Sequence, residues 1–185
     1  MKKTEIREHM KKLRRELSAE EIQKKSAEIT SVLFSLDCFK TAKTIMVYLS
    51  AFREVDTSAV IDRLVTDGKK LVVPVCNVDD CTIIPSYITG FDDMHRGAYG
   101  IWEPDEIKEA EVSDIDLIIV PGIAFDVKGS RCGFGKGYYD RLLYESRAVK
   151  IGLCYDFQIV EALETDEHDI PMDIVISERR MINAV

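Results

Sequence analysis

A three-layer α/β/α domain, with a mostly parallel open sheet and N-terminal helices packed on it, is the fold class this sequence predicts. Five short runs, TIMVYLS (44–50), LVVPV (71–75), DLIIV (116–120), KIGLCY (150–155) and DIVIS (173–177), are apolar at consecutive positions. Strands covered on both sides read this way. Stretches of helical period lie between several of them, at 57–66, 138–145 and 158–163. Strands alternating with helices imply a parallel sheet with helices on both faces, joined by right-handed crossovers.

Taken in order, residues 2–17 place Ile6, Met10, Leu13 and Leu17 on one helical stripe. At about 100° per residue, Lys3, Arg7 and Arg14 fall within roughly 40° of one another beside that stripe. Such a basic strip is either the rim of a site or a solvated helix face. Ser18 followed by Glu21 is a capping box, so a second helix starts at Ala19 and runs through Ile22, Ile29, Leu33 and Leu36. CTIIPSY (81–87) reads as an additional strand, and GAYGIWEP (97–104) as a turn-rich stretch with the single tryptophan, Trp102. No linker or repeat divides the chain, so one domain over 1–185 is expected.

At 185 residues, 46% hydrophobic and 31% charged, the chain is long enough to bury a sizeable core. A net charge of −8 argues against a general nucleic-acid binder. The N-terminus has no apolar signal region and no run reaches membrane-spanning length, so a cytoplasmic protein with no membrane partner is expected, and a monomer. The five cysteines are scattered without zinc spacing, and are expected to be reduced.

In parallel sheets ligands bind beyond the carboxyl ends of the strands, which directs attention to the loops after 44–50 and after 116–120. The second contains GSRCGFGKGYYD (129–140). Its alternating glycines, Gly133, Gly135 and Gly137, let backbone N–H groups approach an anion beside Arg131 and Lys136, and a helix starts just after them. The spacing is neither a Walker A loop nor a dinucleotide fingerprint. The loop is a phosphate cradle or a close-packed glycine turn. Asp140, one turn into the helix, suits either a magnesium ligand or a first-turn acid that complements the helix dipole. Asp173 is a second candidate ligand, and His168 reads as a surface histidine. Phe52, Trp102 and Tyr138 could stack on flat rings, with core or rim positions as the alternative.

PGIAFDVKGSRCGFGKGYYDRLL closely resembles the signature of the 5-formyltetrahydrofolate cyclo-ligase family. LSAEE, YLS with EVDT, GIWEP and EHDIPMD follow that family's order along nearly the whole chain. The resemblance implies ATP- and Mg²⁺-dependent cyclisation of 5-formyltetrahydrofolate to 5,10-methenyltetrahydrofolate. By the same resemblance Lys3, Arg7, Arg131, Gly133, Gly135, Lys136, Gly137, Tyr138 and Tyr139 would hold the nucleotide, with Lys136 and Arg131 catalytic. Leu49, Glu54, Trp102, Phe134 and Tyr138 would contact the folate, and Asp140 and Asp173 the magnesium. Cys132 and Phe134 stand where relatives commonly carry Leu and a variable Tyr, Arg or Trp. Two other readings are a sugar-phosphate isomerase or CoA-transferase-like enzyme, and a folate or nucleotide binding module without turnover.

Overall fold

The computed structural model describes residues 2–97 and 100–184. Two helices, α1 (Lys3–Glu16) and α2 (Ala19–Ser35), open the chain, and the Ser18–Glu21 capping box forms reciprocally between them. A short α3 (Asp37–Thr41) buries Phe39 and leads into β1 (Thr44–Val47). Next come α4 (Ser58–Thr66), β2 (Lys70–Asn77), β3 (Thr82–Ile88), β4 (Met94–Arg96), β5 (Trp102–Pro104), β6 (Leu117–Val120), β7 (Ala124–Asp126) and β8 (Arg131–Cys132). The chain ends through α5 (Tyr138–Glu145), β9 (Val149–Leu153), β10 (Ile159–Val160), β11 (Ile174–Ile176) and β12 (Met181–Asn183).

A seven-stranded sheet has the order β12-β11-β9-β6-β1-β2-β3. The inner strands pair in parallel, while β3 and β12 add antiparallel edges. Alternate side chains serve opposite cores, which explains why the strands read apolar throughout. Ile45, Val47, Leu71, Val73, Leu117 and Ile119 pack with α2, α3 and α4. Met46, Val72, Ile118 and Val120 pack with Leu142 and Leu143 of α5. Burying each such side chain contributes roughly 1.5–3 kcal/mol against the entropy of ordering the chain.

A second, small sheet, β10-β7-β8, lies over this core, and α1 packs on it through Ile6 and Met10 against Ile123, Ala124 and Cys132. That contact brings the basic strip of α1 to the glycine loop. The chain leaves β1 through α4 to β2 on one side, whereas β6 pairs with the other edge of β1. The segments after β1 and β6 therefore diverge and open a crevice between them.

Several local expectations change. Residues 158–163 are not a helix: a short turn ends at Gln158, and Ile159 and Val160 pair with β7. The Gln158 amide donates to the carbonyls of Gly122 (3.1 Å) and Ile123 (2.8 Å), while its oxygen accepts from Tyr155 N (2.9 Å). These tertiary bonds override the local helical period. The first strand stops at Val47, because Tyr48 turns away to bond Val55 O and accept from Thr57 Oγ1. The 97–104 stretch includes β5, paired with β4, and Ala98 and Tyr99 within it lie outside the described residues.

Candidate active site

A cavity of about 480 Å³ occupies that crevice. One part is basic. Lys3 and Arg7 reach it from α1, Arg131 from β8, and Lys136 stands exposed in the loop before α5. Gly135 and Gly137 have φ of +102° and +71°, values that residues with a Cβ rarely adopt. Gly137 caps α5 without a side-chain acceptor, so the first N–H groups of the helix are open to an anion. The Arg7 Nε donates to Gly133 O at 2.8 Å and holds the loop against α1. Arg131 is only 6% exposed, and its Nη2 donates to Asp140 Oδ1 at 2.8 Å. The Lys3 Nζ donates to Asp169 at 2.5 Å and to Asp166 at 2.7 Å. Burial lowers the Lys3 pKa, but these two carboxylates outweigh it and the net change is upward.

The remainder of the wall is largely apolar and aromatic: Tyr48, Leu49, Trp102 and Tyr139 line it together with one carboxyl group, that of Glu54. Burial pushes Glu54 up to about 7, against the opposing pull of Arg14 and of the Ala51 N–H that it accepts. Trp102 packs on Phe91 at 5.4 Å between centroids, and the Arg96 guanidinium lies 4.1 Å from its indole ring. A flat, hydrogen-bonding ligand suits this wall, and a phosphorylated one suits the basic loop.

All the site residues expected from the sequence line this cavity except Asp173. Asp173 accepts from Lys150 N at 2.7 Å and pairs with its Nζ at 2.9 Å. It lies just before β11, at the amino end of a strand parallel to β9, whereas the cavity sits at the carboxyl ends of the parallel strands. The structure does not bring it together with Asp140. The acids of that segment lining the cavity are Asp166 and Asp169. Ile170 N, next to Asp169, approaches Asp140 Oδ1 at 3.5 Å. Strand direction was the signal that could have separated Asp169 from Asp173. Arg14 also departs from the basic strip: it is buried at 3% exposure under the loop after β1 and donates to Phe52 O at 2.7 Å. Phe52, one of the aromatics that could stack on a flat ring, is at the cavity wall, and Cys76 of β2 is a further lining residue that the sequence did not assign to a ligand contact. Among the described residues no group of three or more His, Cys, Asp or Glu side chains could hold a metal ion. His168 is exposed, as expected.

Known proteins resemble this chain along nearly its whole length. The model of the 5-formyltetrahydrofolate cyclo-ligase family matches residues 1–178. The chain is 32% identical to a probable 5-formyltetrahydrofolate cyclo-ligase of Caenorhabditis elegans, over 97% of this chain and 94% of that protein. Its identity to the 5-formyltetrahydrofolate cyclo-ligase of Haemophilus influenzae is 31%, over 95% and 97%. Among solved structures, the 5,10-methenyltetrahydrofolate synthetase of Aquifex aeolicus superposes with a TM-score of 0.87 at 37% identity, over 100% of this chain and 93% of that one. That of Mycoplasma pneumoniae gives 0.78 at 27% identity, over 96% and 99%. A full-length family match, relatives at this identity and a shared fold place the chain among enzymes: it belongs to the 5-formyltetrahydrofolate cyclo-ligase family.

Proposed function

We propose that this enzyme cyclises 5-formyltetrahydrofolate to 5,10-methenyltetrahydrofolate at the expense of ATP, with magnesium, releasing ADP and phosphate. One observation supports this reading above others: a basic glycine loop and an aromatic wall that carries Glu54 belong to a single cavity. Two ligands can therefore meet in it.

The chemistry needs activation because the formyl oxygen, amide-like, is a poor leaving group. In this reading that oxygen attacks the γ-phosphorus of ATP as the bond to ADP breaks. N10 then adds to the formyl carbon and gives up its proton, the carbon–oxygen bond breaks, and inorganic phosphate leaves. Lys136 and Arg131 hold the transferring phosphoryl charge, Lys3 and Arg7 the remaining phosphates, and Glu54 accepts from the N–H edge of the pterin. Catalysis is then positioning and charge stabilisation, with no covalent enzyme nucleophile. The donor set fits magnesium: Asp140 and Asp169 face the cavity, and one or two carboxylates with phosphate oxygens are its usual ligands. When bound, the ion neutralises phosphate charge.

The test is near-ultraviolet absorbance of the methenyl product, followed with purified protein, 5-formyltetrahydrofolate, Mg²⁺ and ATP. Product is expected only when ATP is present. Equal signal without ATP would favour an isomerase-like or transferase-like chemistry, and folate binding with no product a binding module; either result would sink the reading. Among the described residues no helix is long and apolar enough to cross a membrane.

A further inference from the structure

The Tyr139 hydroxyl is buried in the wall of the cavity, and among the described residues it has no hydrogen-bond partner. Two other buried tyrosine hydroxyls nearby are satisfied. Tyr48 donates to Val55 O at 3.0 Å, and Tyr155 to Glu54 O at 2.8 Å. Tyr139 cannot easily turn to find a partner: its ring packs against both hydrophobic cores from the first turn of α5, with the Arg131 guanidinium 5.8 Å from the ring centre. Folded chains rarely leave a buried phenol unpaired, and at a ligand cavity the missing partner is a ligand atom.

Packing locates it within the cavity: Tyr139, like Leu49 and Trp102, lies against the core cluster that holds Tyr48, and these residues line the cavity with Glu54. The hydroxyl thus belongs to the wall that carries Glu54. A phenol shielded from water stays protonated and can offer its proton, whereas a carboxylate only accepts. On a pterin ring, the N–H and amino donors sit immediately beside a ring carbonyl acceptor. A carboxylate and a phenol on one wall can read those neighbouring atoms together.

Resting on the reading of this cavity as a joint folate and nucleotide site, we propose that Tyr139 is a folate-selecting residue whose hydroxyl donates to the ring carbonyl of the pterin. This differs from the nucleotide contact that the family resemblance implies for it.

The test is Tyr139→Phe, with wild type and variant titrated calorimetrically with 5-formyltetrahydrofolate alone, tetrahydrofolate alone and ATP with Mg²⁺ alone, and unfolded thermally without ligand. Both folates are expected to bind the variant about 5- to 150-fold more weakly, the equivalent of about 1–3 kcal/mol. ATP affinity should stay within about twofold, and the ligand-free Tm should be equal or higher because an unpaired buried hydroxyl is gone. Unchanged folate affinity, an equal loss for ATP, or a lowered Tm would overturn the proposal. A loss confined to the formylated ligand would move the contact to the formyl oxygen and overturn the assignment to the ring carbonyl. Wild-type protein that binds no folate would refute the functional reading itself, a different result from a variant that binds as wild type does.

Discussion

Lys136 is exposed in its loop, whereas Glu54 is sunk in the cavity wall, and the two respond differently to substitution. A lysine that makes one charged hydrogen bond to phosphate contributes about 1.5–3 kcal/mol to the reacting complex, so Lys136→Ala should lower kcat/KM about 10- to 150-fold. Its thermal unfolding should be unchanged, since the side chain covers no core; matched losses of activity and stability would make the loop merely structural. Glu54, raised to about 7 from an ordinary 4.5, holds a proton in the folded state that the unfolded state releases between those values. Its contribution to stability is therefore full below the lower value and lost as pH rises through the upper one. Ligand-free Glu54→Gln should flatten that decline, read as Tm against pH. Folate binding runs the other way, because the carboxylate is the form that accepts from the pterin: KM for folate should rise as pH falls below about 7. At this scale the glycines, Arg131, Lys136 and Asp140 were legible from residue type and spacing. Asp169 was not, because Asp173 four positions on is chemically identical and only the direction of β11 tells them apart.

The loop between β1 and α4 shows what the sequence hides at the scale of an element. Phe52 and Arg53 have φ of +50° and +60°, and Glu54 N donates to Ala51 O at 3.0 Å. Two central residues with positive φ are the signature of a turn that normally recruits Asn-Gly or Asp-Gly. SAFRE carries neither, so no turn of this kind was readable. The contacts that impose it are distant in sequence: Arg14 donates to Phe52 O, Arg53 to Leu17 O, and Tyr155 to Glu54 O. Left-handed conformation costs roughly 1–2 kcal/mol per residue, and the turn keeps Phe52 and Glu54 at the cavity. Phe52→Gly should raise stability by about 0.5–1 kcal/mol after the extra entropy of an unfolded glycine is counted, measured by urea unfolding. The strand at Ile159 and Val160 was hidden for the same reason: its pairing partner, β7, is more than thirty residues away.

For the whole molecule, the parallel centre of the sheet was legible because strands buried on both faces have an apolar signature. The antiparallel edge β3 was legible as well, as the strand expected at 81–87, whereas β12 and the small sheet consist of strands of two or three residues, too short to show a period. The small sheet is locked to the large one through Phe125, fully buried against Gly152 of β9. A Cβ at Gly152 would sit 2.4 Å from that ring, so Gly152→Ala should destabilise by about 1–3 kcal/mol in urea unfolding. Both layers meet at the crevice where the segments after β1 and β6 part, and the proposed reaction depends on two ligands sharing it, with the folate oxygen directed at the phosphate. Oxygen-18 in the formyl group of 5-formyltetrahydrofolate tests that most directly, with the released phosphate read by mass spectrometry during turnover with ATP and Mg²⁺. Direct attack predicts that the label leaves in inorganic phosphate, in step with methenyl product; unlabelled phosphate, with the label recovered in water, would contradict it.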